Sequence, residues 1–279
     1  MRGNMIQEKV VVIIPVHSPN PSAYELISFK QCFAVLGNHP IKVLAPIGLA
    51  LTAYQAVVPA FDAVFIAPKW QRSVRDYNKL KTSRFFYRLF RKYQFLLTYE
   101  LDAFVFRDDL LFWCDKGYDY IGAPWFEGFS ETGNTNDITG VGNSGFSLRK
   151  IASIEKILKQ IFYKNEMEYT GKIITKVKGY VKMSYRWPLN VLSNQLGENY
   201  TMQKNFSYHE DIFFGIIAPQ YAKDFKVAPV ADAIRFSFEL RPKLLYELNG
   251  EALPMGCHAW WRYALDFWRP HVEKFGYSL

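Results

Sequence analysis

The chain has 279 residues, 49% hydrophobic and 17% aromatic, enough for one large α/β domain or two small ones and too apolar for global disorder. Its three cysteines, Cys32, Cys114 and Cys257, are widely spaced and odd in number, which excludes a disulfide framework or a cysteine metal knuckle and favours a reducing compartment. Most of the +8 net charge falls in one block: ten basic residues against three acidic ones from Arg149 to Arg186, net +7.

The run Val10–Val16 is short for a signal peptide and lacks a small-residue cleavage site, so it reads as a first buried strand. Asn20 is a cap candidate, with Pro21 at the first position of a helix. Leu26, Phe29, Phe33 and Leu36 then recur at helical spacing up to Gly37. Ile41–Ala45 and Ala63–Ala67 read as strands, and Asp76 to about Lys92 as one long basic helix with Leu80, Phe85 and Leu89 inward. A strand-like run follows, Leu96–Phe106, interrupted by Glu100 and Asp102. Tyr118–Ala123 is a further short strand, Gly128–Thr139 a mobile polar loop, and Phe146–Leu148 a strand before a helix carrying Ile151, Ile154, Leu158 and Ile161. Strands separated by helices imply parallel βαβ units, which bind ligands at the carboxyl ends of their strands. That rule gathers His17, the acid pair and the loop after Ala67 on one edge. No stretch approaches the roughly 18–20 apolar residues that cross a bilayer, so a soluble, cytoplasmic protein is expected.

The acid pair is the strongest chemical signal. Side chains at i and i+2 of a strand share a side, about 6–7 Å apart at Cα, so Glu100 and Asp102 can address one hard divalent cation and the phosphates it carries. Two solvated acids at a strand end are the plain alternative. In Gly140–Gly145, glycines admit either a tight turn or close approach to a sugar ring with Asn143 hydrogen-bonding; the spacing is not a dinucleotide fingerprint and no phosphate-loop lysine follows. Glu210 and Asp211 open an apolar helix, where acids suit the helix dipole and where one could also act as a general base. His258 stands among aromatics, either as a core residue or, if the fold brings it to Asp102, as a ligand.

Together these stretches resemble the GT-A class of glycosyltransferases. The closest likeness is to an uncharacterised glycosyltransferase-like domain family common in bacterial polysaccharide loci. The likeness lies in Tyr99–Phe106, Gly122–Trp125, Gly142–Arg149, His209-Glu210-Asp211 and Gly256–Trp260, in that order across roughly residues 10–261. Asp76–Thr82 is also similar to the helix preceding the metal strand in fringe-like galactosyl- and glucosaminyltransferases. The resemblance implies a GT-A-like, Rossmann-related α/β fold: a mostly parallel central sheet flanked by helices, with an irregular C-terminal acceptor lobe. It implies a single domain over 1–279, with a nucleotide-sugar half at about 8–125 and an acceptor half at about 126–279.

By the same resemblance, Asp102 ligates Mn²⁺ or Mg²⁺, Glu100 assists or contacts the donor ribose, and His258 completes the metal or pyrophosphate site. Pro15, Val16 and His17 line the nucleotide base, Lys81 neutralises a phosphate, and Asn143 and Gly145 meet the sugar. Asp211 is the base and Glu210 positions the acceptor. Glu-x-Asp departs from the commoner Asp-x-Asp. The implied activity is metal-dependent, inverting hexosyl transfer from a nucleoside-diphosphate donor, UDP above all, to a glycan or lipid-linked saccharide, with no nucleic-acid partner.

Two other readings fit parts of the chain. A sugar-nucleotide pyrophosphorylase would also use an acid pair and a metal, but His17–Pro21 lacks the basic, glycine-rich first loop. A non-catalytic module for nucleic acid or acidic glycan would use the basic block with Tyr180, Tyr185 and Trp187. That block, with Ile173, Ile174, Val177, Tyr180, Val181 and Met183 interleaved, could instead dock on the anionic inner face of a membrane or form an ordinary solvated helix.

Overall fold

The computed structural model describes residues 8–129, 136–159 and 209–279, with single positions at 184, 188, 189, 191, 192 and 195. β1 (Glu8–Pro15), β2 (Ile41–Pro46), β3 (Asp62–Ile66) and β4 (Tyr93–Tyr99) are parallel neighbours in the order β3-β2-β1-β4. The chain builds outward from β1 to β3, then returns to lay β4 on the other side of β1. Such a reversal opens a crevice at the carboxyl ends of the two strands. In the parallel register Ile13 stands against Thr98, so two residues further on Pro15 comes level with Glu100. Six strands complete the sheet: β6 (Tyr120–Ile121) lies at its edge, and β9 (Phe146–Lys150) runs antiparallel between β4 and β6.

The run at residues 10–14 is apolar throughout because both sheet faces are covered. Val10, Val12 and Ile14 enter one core with α1 (Ala23–Leu36), while Val11 and Ile13 enter another with Leu80, Phe86 and Ile154. Here α3 (Val74–Lys81), α4 (Arg84–Leu89) and α6 (Ile151–Leu158) cover the second face; α2 (Thr52–Gln55) and α5 (Leu110–Asp115) lie between strands. β5 (Phe104–Val105) leaves the main sheet for a smaller one, ordered β10-β11-β5, with β10 at Ser237–Phe238 and β11 at Gly256–Cys257. A third core, including Phe104, Phe238, Trp260 and Trp268, fills the lobe around it.

Several boundaries differ from expectation. Ser22, not Asn20, caps α1: its hydroxyl accepts from Glu25 N–H while the Glu25 carboxylate accepts from Ser22 N–H. The single helix expected over 76–92 is two helices, because Ser83 breaks the run and caps the second through Phe86 N–H. Tyr118–Ala123 divides into β6 and β7 (Ala123–Phe126). The latter pairs with β8 (Ile138–Gly142), so the expected loop ends in a strand at Ile138 and Thr139, its residues 130–135 lie outside the described ones, and Gly140 and Gly142 of the following glycine run are strand too. Trp125 explains one of them: a Cβ on Gly142 would lie 2.0 Å from its ring.

The second half continues with α7, which opens over Glu210–Ile212, widens to a π-helical turn over Phe213–Ile217 and closes over Ala218–Tyr221. α8 (Val230–Phe236), α9 (Pro242–Leu248) and α10 (Leu265–Glu273) follow. Most of the basic block, with its amphipathic stretch, lies outside the described residues. Arg149, its first member, is fully buried rather than solvated. Among the described residues no helix is long and apolar enough to cross a membrane.

Candidate metal centre

β4 stops at Tyr99 because the chain turns there. Glu100 N–H donates to the Gly145 carbonyl at 2.7 Å, and Ala103 N–H returns to the Glu100 carbonyl at 2.9 Å. Glu100 and Asp102 therefore sit not on a strand but on the turn joining the two sheets. β11 pairs antiparallel with β5, Cys257 against Phe104, and that register carries His258 back to the acid turn. β10 runs parallel to β11 with Phe238 against Cys257, so the next residue, Glu239, falls beside His258.

His258 Nε2 lies 3.0 Å from Asp102 Oδ1 and 3.7 Å from Glu100 Oε2, and Nδ1 lies 2.8 Å from Glu239 Oε1. One donor atom from each of Glu100, Asp102 and His258 falls within 4.8 Å of the others. Despite these charge contacts Nε2 is buried without a hydrogen bond. A nitrogen set between two carboxylates in this way suits a divalent cation. Arg262 Nε covers the other Asp102 oxygen at 3.0 Å.

Burial works to lower the His258 pKa, but Asp102, Glu100 and Glu239 outweigh it and hold the value well above the usual histidine range. The acids show the converse. Burial works to raise Glu100 and Asp102, yet Lys81 and His258 hold Glu100 well below the usual carboxylate range, and chiefly His258 lowers Asp102.

Behind the centre lies a closed network of charge. Lys81 is fully buried, 3.0 Å from both Glu100 Oε1 and Glu210 Oε1, and donates to Ser144 Oγ. Ser144 Oγ in turn donates to Glu100 Oε1 at 3.1 Å. Arg149 Nη2 reaches Glu210 Oε1 at 2.8 Å, and its other nitrogens donate to Ser147 and Tyr87. Lys81 is thus occupied by carboxylates rather than presented to a phosphate, and Glu210 is enclosed with cations rather than open to an acceptor. Burial works to raise the Glu210 pKa, but Lys81 and Arg149 overcome it and keep it below the usual value.

Asn78 on α3 fixes the start of α7, its Oδ1 accepting from Glu210 N–H at 3.1 Å. The adjacent Asp211 is half-buried, and among the described residues Lys81 is the cation that acts on it. Desolvation, with the charge of Glu210, pushes its pKa up to about 7.

Asn143 is buried, clamped by the Tyr120 hydroxyl, which donates to its carbonyl and accepts from its N–H. Its Oδ1 accepts from Phe146 N–H at 2.7 Å and its Nδ2 lies 3.2 Å from His258 Nδ1. Gly145 leaves room for the histidine, since a Cβ there would lie 2.1 Å from His258 Nε2. Pro15 and Val16 are buried, while His17 is exposed at the end of β1, the strand next to β4. An open cleft of about 580 Å³, lined by Asn136, Arg241, Lys243, Glu247 and Ala264 among others, begins two residues along the chain from Glu239 and from Arg262.

Sequence reasoning missed Glu239, Arg262, Ser144 and Asn78. The registers around β11 reveal Glu239 and Arg262, which nothing local marks out, and the packing of α3 reveals the roles of Asn78 and Ser144, which lie inside the Asp76–Thr82 and Gly142–Arg149 stretches.

Solved structures resemble the chain at low TM-score. A glycosyltransferase GlyE from Streptococcus pneumoniae TIGR4 is 14% identical, with 91% of this chain on 55% of that one and a TM-score of 0.42. The chain thus spans about half the length of that protein. Mouse xyloside xylosyltransferase 1 is 8% identical, with 91% and 97% covered and a TM-score of 0.46. A glycosyltransferase involved in glycosylation of the major capsid of PBCV-1 is 9% identical, with 90% and 92% covered and a TM-score of 0.41. No curated protein matches. A family model matches residues 60–258, most of the chain and with it Glu100, Asp102, Glu239 and His258, and the chain belongs to that family, described as "Protein of unknown function (DUF5672)".

Proposed function

We propose that the protein is a metal-dependent glycosyltransferase that moves a sugar from a nucleoside-diphosphate donor, UDP in the first instance, to a hydroxyl of a glycan or lipid-linked saccharide. The observation that carries this reading is the Glu100–Asp102–His258 cluster at the carboxyl edge of a parallel sheet, beside its topological switch point. Asp102 and His258 would hold a divalent cation, with Glu100 Oε2 turned toward it. One nitrogen among the ligands favours Mn²⁺ over Mg²⁺, which takes oxygen.

The bound cation would neutralise charge on the leaving diphosphate. The protein's own groups do the rest. Lys81 and Ser144 hold one Glu100 oxygen so that the other faces His258. Pro15, Val16 and His17 form the wall nearest a nucleotide at the switch point. Asp211, with a pKa of about 7, accepts the proton of the acceptor hydroxyl. A base opposite the leaving group gives inversion at the anomeric carbon.

The test is UDP binding by calorimetry with and without Mn²⁺, followed by hydrolysis of a panel of nucleotide sugars. Metal-assisted UDP binding and turnover of one donor are expected. UDP affinity indifferent to Mn²⁺ would remove the proposal.

A further inference from the structure

We propose that Glu239 is a positioning residue: it sets the tautomer of His258 so that the Nε2 lone pair faces the Glu100–Asp102 pair. The inference rests on the reading of that cluster as a divalent-cation site, and adds to it a residue that touches no ligand.

His258 Nδ1 lies between two groups with opposite demands. Glu239 Oε1, at 2.8 Å, is an acceptor that needs a proton on Nδ1. Asn143 Nδ2, at 3.2 Å, is a donor that needs a lone pair there. The Asn143 amide cannot turn round, because its Oδ1 accepts from Phe146 N–H at 2.7 Å. A lone pair on Nδ1 would face the Glu239 carboxylate directly, so Glu239 keeps the proton on Nδ1, and Nε2, which faces Asp102 and Glu100, is the nitrogen that exchanges its proton for a cation.

The geometry is built into the fold. The β10–β11 register puts Glu239 alongside His258, buried Phe238 and Leu240 flank the glutamate, and His258 N–H donates to the Phe238 carbonyl at 2.9 Å. Without Glu239, Asn143 would donate to Nδ1 and the single proton of the neutral ring would move to Nε2, the atom required as ligand. Loss of a partner that orients a metal-bound histidine typically weakens metal affinity by about 10–100-fold.

The experiment is Mn²⁺ titration of the full chain by the EPR signal of the free ion, with pulsed EPR reading nitrogen coupling on the bound ion and thermal melting run in parallel. Glu239→Ala should bind Mn²⁺ about 10–100-fold more weakly and lose the nitrogen coupling, with an unchanged Tm. Glu239→Gln, whose amide oxygen accepts the same Nδ1–H, should retain both affinity and coupling. If the alanine variant does not fold, Glu239→Asp, which keeps the charge but draws the oxygen back, carries the same expectation of weakened binding.

Wild-type affinity and coupling in Glu239→Ala would overturn the proposal. So would a glutamine variant as weak as the alanine, or weakened binding with the nitrogen coupling intact. Asp102→Ala separates the two levels. If wild type does not bind Mn²⁺, or Asp102→Ala binds it equally well, the metal reading fails and this proposal falls with it. If both controls hold and Glu239→Ala is unchanged, the Glu239 proposal alone falls.

Discussion

Two groups of charge meet at Lys81 and differ in one respect, enclosure. The inner group of Lys81, Arg149 and Glu210 is fully buried, and each member has an ionic partner of opposite sign. The outer group of Glu100, Asp102 and His258 is partly open; each group holds one buried atom without a hydrogen bond, His258 Nε2 here and Glu210 Oε2 in the inner group. The first is an internal scaffold that would suffer from losing any member. The second can be reached from outside, as a binding site must be. Residue type does not separate them, since both contain glutamate and a cation; enclosure does.

The widest gap between the groups should appear with Asp102→Ala. Metal-dependent UDP binding and turnover should fall to background while the melting temperature falls only modestly, because His258 keeps Glu239 as a partner and Arg262 is exposed. Calorimetry with Mn²⁺ and a thermal melt read both, and wild-type activity in this variant would place the metal elsewhere.

Asp211→Asn should cost about 10²–10⁴-fold in transfer, the usual range for loss of a general base, with Mn²⁺ and UDP affinity unchanged. Equal loss of UDP binding would move Asp211 out of the base role. Its pKa of about 7 also fixes a pH dependence. The wild-type rate should climb as pH rises through about 7 and the base ionises. Stability should move the opposite way: the folded value lies above the unfolded one, so the contribution is whole below the ordinary aspartate range and lost as pH passes about 7. Urea melts from pH 5 to 9 should show that decline in wild type and not in Asp211→Asn, with a difference of at most roughly 4 kcal/mol.

In the inner group, Glu210→Ala should destabilise the protein by about 3–5 kcal/mol, because it strands Lys81 and Arg149 in the interior. Denaturant melts check this; a loss near zero would mean that water reaches the network. At the small end, Lys92 and Glu8 are paired at 3.0 Å with both side chains half or more exposed. Lys92→Ala should cost under about 1 kcal/mol, and a larger loss would show that enclosure is not what separates the groups.

The strands around the crevice were legible because burial on both sheet faces demands an unbroken apolar run, as in Val10–Ile14. The acid pair was legible because two charges interrupt such a run at Leu96–Phe106. The break after Lys81 was not, since apolar spacing carries on through Phe85 and Leu89 and only the Ser83 cap ends the first helix. The roles of Lys81, Arg149 and Glu210 were not legible either: a lysine and an arginine look solvated until a carboxylate far along the chain is seen beside them. Glu239 was hidden most completely. Its partner is set by the register of two strands of two residues each, too short to leave a pattern in the sequence.

The pairing of Phe104 with Cys257 closes a loop of roughly 150 residues. Nearest-neighbour strands such as β1 and β2 close far shorter ones, so topology orders folding: the parallel sheet can assemble first, and the seam holding Glu100 and Asp102 against His258 closes late. A partly folded chain would then have its main sheet and no affinity for the cation. Metal would act as a latch on the final step, adding stability only to molecules whose second sheet has docked. In a refolding time course, far-UV circular dichroism should recover before Mn²⁺ uptake begins.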